Sequence, residues 1–242
     1  MIDTHCHIDL YPDPIAVANE SELSGTITIG VTNLPSHFEL GRPYLARHKK
    51  VRLALGMHPL YAEKHLRELP IFIRNIDNTS YIGEIGLDFS REGMATKELQ
   101  VTTFKKVLKS LQGKRKLLSL HSRKAEKEVF MFLQSYNVET AIFHWYSGPL
   151  SLIAEISAAG YMFSVNPAMI KSKSGQEIIK RIPKENILTE SDGPFITLDG
   201  APTKPRDVEA VLIYLSALWK IPINAVNDVI QKNFFSLVNT LR

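Results

Sequence analysis

The segment YIGEIGLDF, residues 81–89, sets one carboxylate, Glu84, inside a run of apolar and small residues. Ile82 and Ile85 mark a short buried strand, and such a strand accepts an ionised side chain only when that group is paired or ligates a metal. An ion pair with Arg123 would meet the requirement, and so would a cation. Gly83 and Gly86 are read as leaving room around the carboxylate. Working outward, Tyr81–Ile85 is the fourth of eight such runs. The others are Met1–Cys6, Thr26–Val31, Val51–Met57, Lys116–His121, Thr140–His144, Tyr161–Val165 and Ile187–Glu190. Longer amphipathic stretches alternate with them. Glu98–Gln112 carries Leu99, Phe104, Val107, Leu108 and Leu111 at helical spacing, and Lys124–Ser135, Leu150–Ala159, Asp207–Trp219 and Ile223–Gln231 read alike. Pro12, Pro14, Pro35, Pro70, Gly113, Pro149, Gly160 and Pro183 are read as joints. Eight β–α units predict an α/β fold, a TIM-like (β/α)8 barrel with its site at the C-terminal face of the strands. An open doubly wound sheet would bring a Gly-rich dinucleotide fingerprint after a strand, which this sequence lacks. The 242 residues are read as a single domain, 1–242.

The ends of those strands carry most of the histidines: five of eight, at His5, His7, His58, His121 and His144. On a strand, residues i and i+2 share a face about 6.5 Å apart, so His5 and His7 can converge on one cation. They can also be a hydrogen-bonded core pair. His121 and His144 each end an apolar run. Asp192, in TESDGP, either shapes the turn before Gly193-Pro194 or ligates a metal and manages the proton of a water. Glu190, two residues earlier, points the same way but deeper. Four imidazoles and two carboxylates (Glu84 and Asp192) suit Zn, Mn, Co or Ni, and also permit Mg. Six donors exceed what one tetrahedral ion takes, and fit two divalent metal ions. Glu84 can bridge them with its two oxygens. Asp3 and Asp9 are read as carboxylates that orient the imidazoles. Around the site, Arg123 matches phosphate in forked geometry. Ser147, with Gly148, can present backbone N–H groups, and Trp145 can stack a nucleobase or pack under a loop.

The net charge is +4, with the cations gathered in Arg42–Arg52, Lys109–Lys116, Lys171–Gly175 and Thr203–Arg206. Such runs are solvated surface unless they ring one mouth of the fold, where they would attract an anionic substrate. Cys6 is the only cysteine, so an internal disulfide is excluded. Polar residues stand where a signal peptide would need its apolar core, and no run is long enough to span a membrane. The expectation is a cytoplasmic protein without membrane partners.

IDTHCHID, GEIGLDF, LHSR, FHWYSG and TESDGPF, in that order, resemble the motifs of TatD-family metal-dependent deoxyribonucleases of the amidohydrolase-like superfamily. The resemblance implies that His5, His7 and Asp192 share one metal, that His121 and His144 hold a second, and that Glu84 bridges. It implies hydrolysis of phosphodiester bonds in DNA, often at single-stranded ends, with Glu84 and Asp192 as catalytic carboxylates. DLYPDP, HWYSG and FSVNPAM are similar to one branch, QatD of the Qat anti-phage system, which implies antiviral defence beside other proteins of the Qat operon. Where relatives carry Arg-Asn-x-Pro after strand eight, this chain has GAPTKPRD, whose Arg206 is the candidate phosphate contact. Two other readings stay open on the residues alone. One is an amidohydrolase acting on a small molecule or an aminoacyl ester, although Glu84 stands where many such enzymes use a carboxylated lysine. The other is a non-catalytic subunit of a defence complex that keeps its metal as a clamp.

Overall fold

The computed structural model describes residues 1–241. Its parallel strands are β1 (Ile2–Cys6), β2 (Ile27–Gly30), β3 (Val51–Leu53), β4 (Leu55–Met57), β5 (Tyr81–Gly86), β6 (Leu117–His121), β7 (Ala141–His144), β8 (Met162–Val165) and β9 (Ile187–Thr189). They pair in the order β1-β2-β3 and β4-β5-β6-β7-β8-β9. The expected strand Val51–Met57 is thus broken at Ala54. Pairing continues through the break, because Ala54 N donates to Gly30 O at 2.8 Å. The last strand meets the first through Thr4 Oγ1, which donates to Thr189 O at 3.0 Å, and through Thr189 Oγ1, which donates to Ile2 O. Eight staves therefore close into a TIM-type barrel, with helices outside.

Those helices are α1 (Pro14–Ser24), α2 (Pro35–Leu45), α3 (His65–Asn75), α4 (Lys97–Leu111), α5 (Glu126–Ser135), α6 (Leu150–Ala158), α7 (Pro167–Lys171), α8 (Lys173–Arg181), α9 (Glu209–Trp219) and α10 (Ile223–Asn239). Pro14 and Pro35 open helices in the first turn, where a missing N–H costs nothing. Asp13 caps α1 by accepting from Ala16 N at 2.9 Å. Pro70, expected at a joint, lies inside α3. It faces water there, where one lost helical hydrogen bond is least unfavourable. Helix α10 runs past the expected Gln231 because Ile230, Phe234 and Leu237 keep the apolar stripe buried for two more turns. Among the described residues no single helix is long and apolar enough to cross a membrane.

The expectation that Gly83 and Gly86 make room for Glu84 is corrected. They make room for the neighbouring strand. A Cβ on Gly86, whose φ is +142°, would lie 1.9 Å from His121 O, and one on Gly83 would lie 2.8 Å from Ser119 Cβ. Close approach of β5 to β6 is what carries His121 to Glu84.

Candidate metal centre

At the C-terminal ends of the strands, five imidazoles converge on one buried carboxylate. Glu84 Oε2 lies 3.4 Å from His5 Nε2 and 3.2 Å from His7 Nε2. Its Oε1 lies 2.6 Å from His121 Nδ1, 3.2 Å from His144 Nε2 and 3.3 Å from His58 Nε2. Asp192 Oδ1 stands 3.8 Å from both His5 Nε2 and His7 Nε2. The two oxygens of Glu84 thus address two separate sets of nitrogens. All six residues expected as donors (His5, His7, Glu84, His121, His144 and Asp192) fall in this cluster.

The donor chemistry fits metal ions. The Nε2 atoms of His5 and His7 are 3.2 Å apart, the spacing of two nitrogens that each lie about 2.0–2.1 Å from a shared cation. The remaining ring atoms settle which lone pairs are free. His144 Nδ1 faces the Glu190 carboxylate at 3.4 Å, and a carboxylate only accepts, so Nδ1 carries the hydrogen and, once the ring is neutral, Nε2 keeps its lone pair on the Glu84 side. His121 Nε2 faces Asp88 Oδ2 at 2.8 Å, which leaves Nδ1 turned to Glu84. His58 is different. Its Nδ1 accepts from Leu60 N at 3.1 Å, so in the neutral ring Nε2 bears the hydrogen and donates to Glu84. His58 serves as a hydrogen-bond donor to the bridge-placed carboxylate rather than as a ligand. Strand position pointed to it, but its role is visible only once Leu60 N is in place.

Burial and the neighbouring charges set the protonation of these donors. Burial, reinforced by His144, drives the His5 imidazole down to about 3, so it is neutral. Burial also lowers His58. Burial would raise the Glu84 carboxyl, but His58, His144 and His121 outweigh it and hold Glu84 ionised, well below the usual range. Burial likewise opposes a charge on His144, yet the Glu190 and Glu84 carboxylates hold that ring well above its ordinary value. Burial pushes Asp192 up to about 7; His144 and His7 oppose the rise, and Glu190 and Glu84 add to it. Several carboxylates in one buried cluster are the environment a divalent cation neutralises.

The groups that orient the rings are not those expected. His5 Nδ1 pairs with Ser119 Oγ at 2.8 Å. Asp3 touches no ring: it accepts from His5 N, Ser191 N and Ser191 Oγ, at 3.1, 2.9 and 2.6 Å, tying the last strand's loop to β1. Asp9 turns away toward His37 Nδ1, at 3.3 Å. Glu190 lies deeper, as expected, accepting from Asn166 Nδ2 at 2.9 Å, Trp145 N at 3.1 Å and Ser164 Oγ. Trp145 and Asp192 both hold left-handed backbone, φ +38° and +45°. The bonds from Trp145 N to Glu190 and from Asp192 N to His5 O (2.9 Å) keep them there.

Above the carboxylates opens a cleft of about 750 Å³, lined by His7, His58, Arg123, Trp145, Ser147 and Phe195 among others. Trp145 is 39% exposed and its indole is open to a ligand. Arg123 pairs with Glu92 at 3.2 Å and not with Glu84, so the carboxylate's compensation comes from imidazoles. Ser147 Oγ donates to Glu126 Oε1 at 3.2 Å. Arg206 lies outside the cleft lining, held by Glu20 at 3.0 Å.

A family profile described as TatD related DNase matches residues 2–239. Relatives include the uncharacterized metal-dependent hydrolase MJ1582 of Methanocaldococcus jannaschii, 25% identical across 96% of this chain and 94% of its own. Deoxyribonuclease TATDN3 of Homo sapiens is 26% identical across 100% of this chain and 96% of its own. Among solved structures, the TatD homologue YjjV of Escherichia coli K12 aligns with a TM-score of 0.87 at 24% identity, covering 98% of this chain and 97% of the other. A TatD family hydrolase from Entamoeba histolytica aligns at 0.83 with 18% identity, again covering 98% and 97%. These structural likenesses establish the fold.

Proposed function

Because this chain belongs to the TatD related DNase family, we propose that it hydrolyses phosphodiester bonds of DNA with two divalent metal ions. One observation carries the reading: the two oxygens of buried Glu84 face separate groups of imidazole nitrogens, with Asp192 beside the first group. His5, His7, Asp192 and Glu84 Oε2 would hold one ion; Glu84 Oε1, His121 and His144 would hold the other. Zn, Mn, Co, Ni and Mg all suit such donors. Ions held there supply Lewis acidity and neutralise charge on the phosphoryl group. The chain's own groups do the rest. Asp192, beside the donors in the cleft lining, takes the proton of the attacking water. Trp145 stacks a base at the cleft wall, and Arg123 and the Ser147–Gly148 loop bind phosphate at its rim. Arg206 reaches phosphate only by leaving Glu20.

The likeness of HWYSG and FSVNPAM to QatD supports a place in anti-phage defence in the cytoplasm, beside other Qat operon proteins. Plaque counts on cells carrying the operon with Glu84→Ala test that part.

The decisive experiment uses metal-stripped protein and end-labelled single-stranded DNA, with Mg, Mn or Zn added back. Cleavage that returns with metal and falls to background in a folded Glu84→Ala variant is the expected result. A folded, metal-loaded wild type that leaves DNA intact overturns the reading, and points to a small-molecule hydrolase or a non-catalytic subunit.

A further inference from the structure

The cationic runs do not all ring the candidate metal centre. Arg42–Arg52 and Lys109–Lys116 lie at the opposite end of the barrel, in the segments that lead into β3 and β6. Among the residues that line the cleft over Glu84, Arg123 is the one Lys or Arg, and it is paired with Glu92. The far end differs. A second cleft of about 650 Å³ is walled by Arg42, Arg47, Lys49, Arg52 and Tyr81, and none of its lining residues is a carboxylate. Among the described residues, no carboxylate lies within ion-pair distance of Arg42, Arg47, Lys49 or Arg52. Arg52 donates only to backbone carbonyls, His48 O at 2.8 Å and Val51 O at 3.0 Å. Lys116 likewise donates to Ile76 O and Thr79 O, at 2.7 and 2.6 Å.

A separate, smaller pocket lies at the start of the next strand, with Glu139 in its lining. β5 pairs with β6 through Tyr81 and Leu117, and the residues before Leu117 put Lys114, Arg115 and Lys116 beside this pocket, which also holds Tyr136. Two strand spacings separate β3/β4 from β6, about 10 Å. An aromatic ring stands among the cations of the larger cleft: Tyr81 lies in its wall, while Tyr44, 63% exposed, lies outside its lining. The cations of the Arg42–Arg52 cleft, with no carboxylate in its lining and a tyrosine ring in its wall, are the features that bind single-stranded nucleic acid, the cations tracking phosphates and the ring taking a base.

We propose that this N-terminal end of the barrel is a second contact surface for single-stranded DNA, gripping the strand away from the metal centre. The inference rests on the reading of the chain as acting on DNA. Here Arg42, Arg47 and Lys49 act as phosphate contacts and Tyr81 as a stacking face. Their loss weakens capture of long strands without touching the reacting groups.

The test measures fluorescence anisotropy of a labelled 30-nucleotide strand in chelator, where no cleavage occurs. The proteins are wild type, Arg42→Gln/Arg47→Gln/Lys49→Gln, and Tyr44→Ala, outside the cleft lining, as a control expected to bind as wild type does. Losing three phosphate contacts lowers the slope of log K against log salt by about 2, and the affinity at 50 mM salt by about tenfold or more. With metal restored, the triple variant should show a raised KM for the long strand and unchanged turnover of a dinucleotide. An unchanged slope and affinity in a folded triple variant overturn the surface while leaving the nuclease reading intact. No binding by the wild type in chelator also overturns it, as does a variant that loses binding to anionic vesicles but not to DNA. Binding that depends on these residues in a protein that cleaves no DNA keeps the surface and rejects the nuclease reading.

Discussion

Asp88 offers a test of how the second group of donors is aimed. Its Oδ2 lies 2.8 Å from His121 Nε2, and its Oδ1 accepts from Ser90 N at 2.8 Å. It therefore ties the loop after β5 to the ring that faces Glu84. Asp88→Ala removes both anchors. His121 is then free to rotate, and its Nδ1 loses the neighbour that kept its lone pair toward the site. Removing such an orienting carboxylate costs about 10–100-fold in metal affinity, or about 1.4–2.7 kcal/mol. The loss should fall on one ion alone, because His5, His7 and Asp192 make no bond to Asp88. Competition titration of metal-stripped protein with Zn or Mn reads the two sites separately, with circular dichroism as the control for folding. Asp88→Asn retains an acceptor oxygen toward the ring and should recover most of the affinity. Equal weakening of both sites, or no change beyond about threefold in either, would refute the assignment of His121 to its own ion through Asp88.

Two further outcomes follow from the packing and the surface. Phe143 is fully buried on β7 among Phe163, Tyr146 and Tyr161, with ring centroids at 5.9, 6.2 and 6.3 Å. Phe143→Ala should cost about 3–5 kcal/mol in urea unfolding, and a cost under about 1 kcal/mol would show that the site can collapse. Glu39 is held down to about 2 by hydrogen bonds from Arg74 and Asn75. Its folded-state value lies below its ordinary 4.5, so its contribution is present above pH 4.5 and is lost as pH falls toward 2. Because the pair is partly solvent-screened, the wild type should exceed Glu39→Gln by no more than about 1 kcal/mol at pH 7. The gap should shrink in urea melts at pH 3 and in high salt, and one that widens on acidification would contradict the sign.

The strands were legible because each is a short buried run whose composition differs from its flanks. Most observed bounds lie within one residue of those read from the chain. The helices that escaped reading, α1, α2, α3, α7 and α8, have reasons that can be named. Pro14, Pro35 and Pro167 look like breaks but occupy first turns, Pro43 and Pro70 lie within helices, and α7 and α8 are short segments split at Ser172. The break at Ala54 is not marked in sequence either, because no proline, glycine or turn-forming polar residue stands at that position.

For the candidate metal centre, residue type and strand position were enough to collect the candidate donors, because the C-terminal ends of parallel barrel strands meet at a common mouth. The sequence by itself determined that alternation and that set of candidate donors, since both follow from local period and side-chain chemistry. Only the tertiary structure decided how each donor is turned. Ser119 is 114 residues from His5, Asp88 33 from His121, and Glu190 46 from His144. These partners are chosen by which strands lie side by side, and no local pattern encodes that. The same holds for charge. Arg123 was free to pair with Glu84 until the fold placed Glu92 beside it, and two of the cationic runs could have ringed the metal centre until barrel closure carried them to the other end. Coulomb energy depends on distance in space, and that distance exists only once the chain has folded.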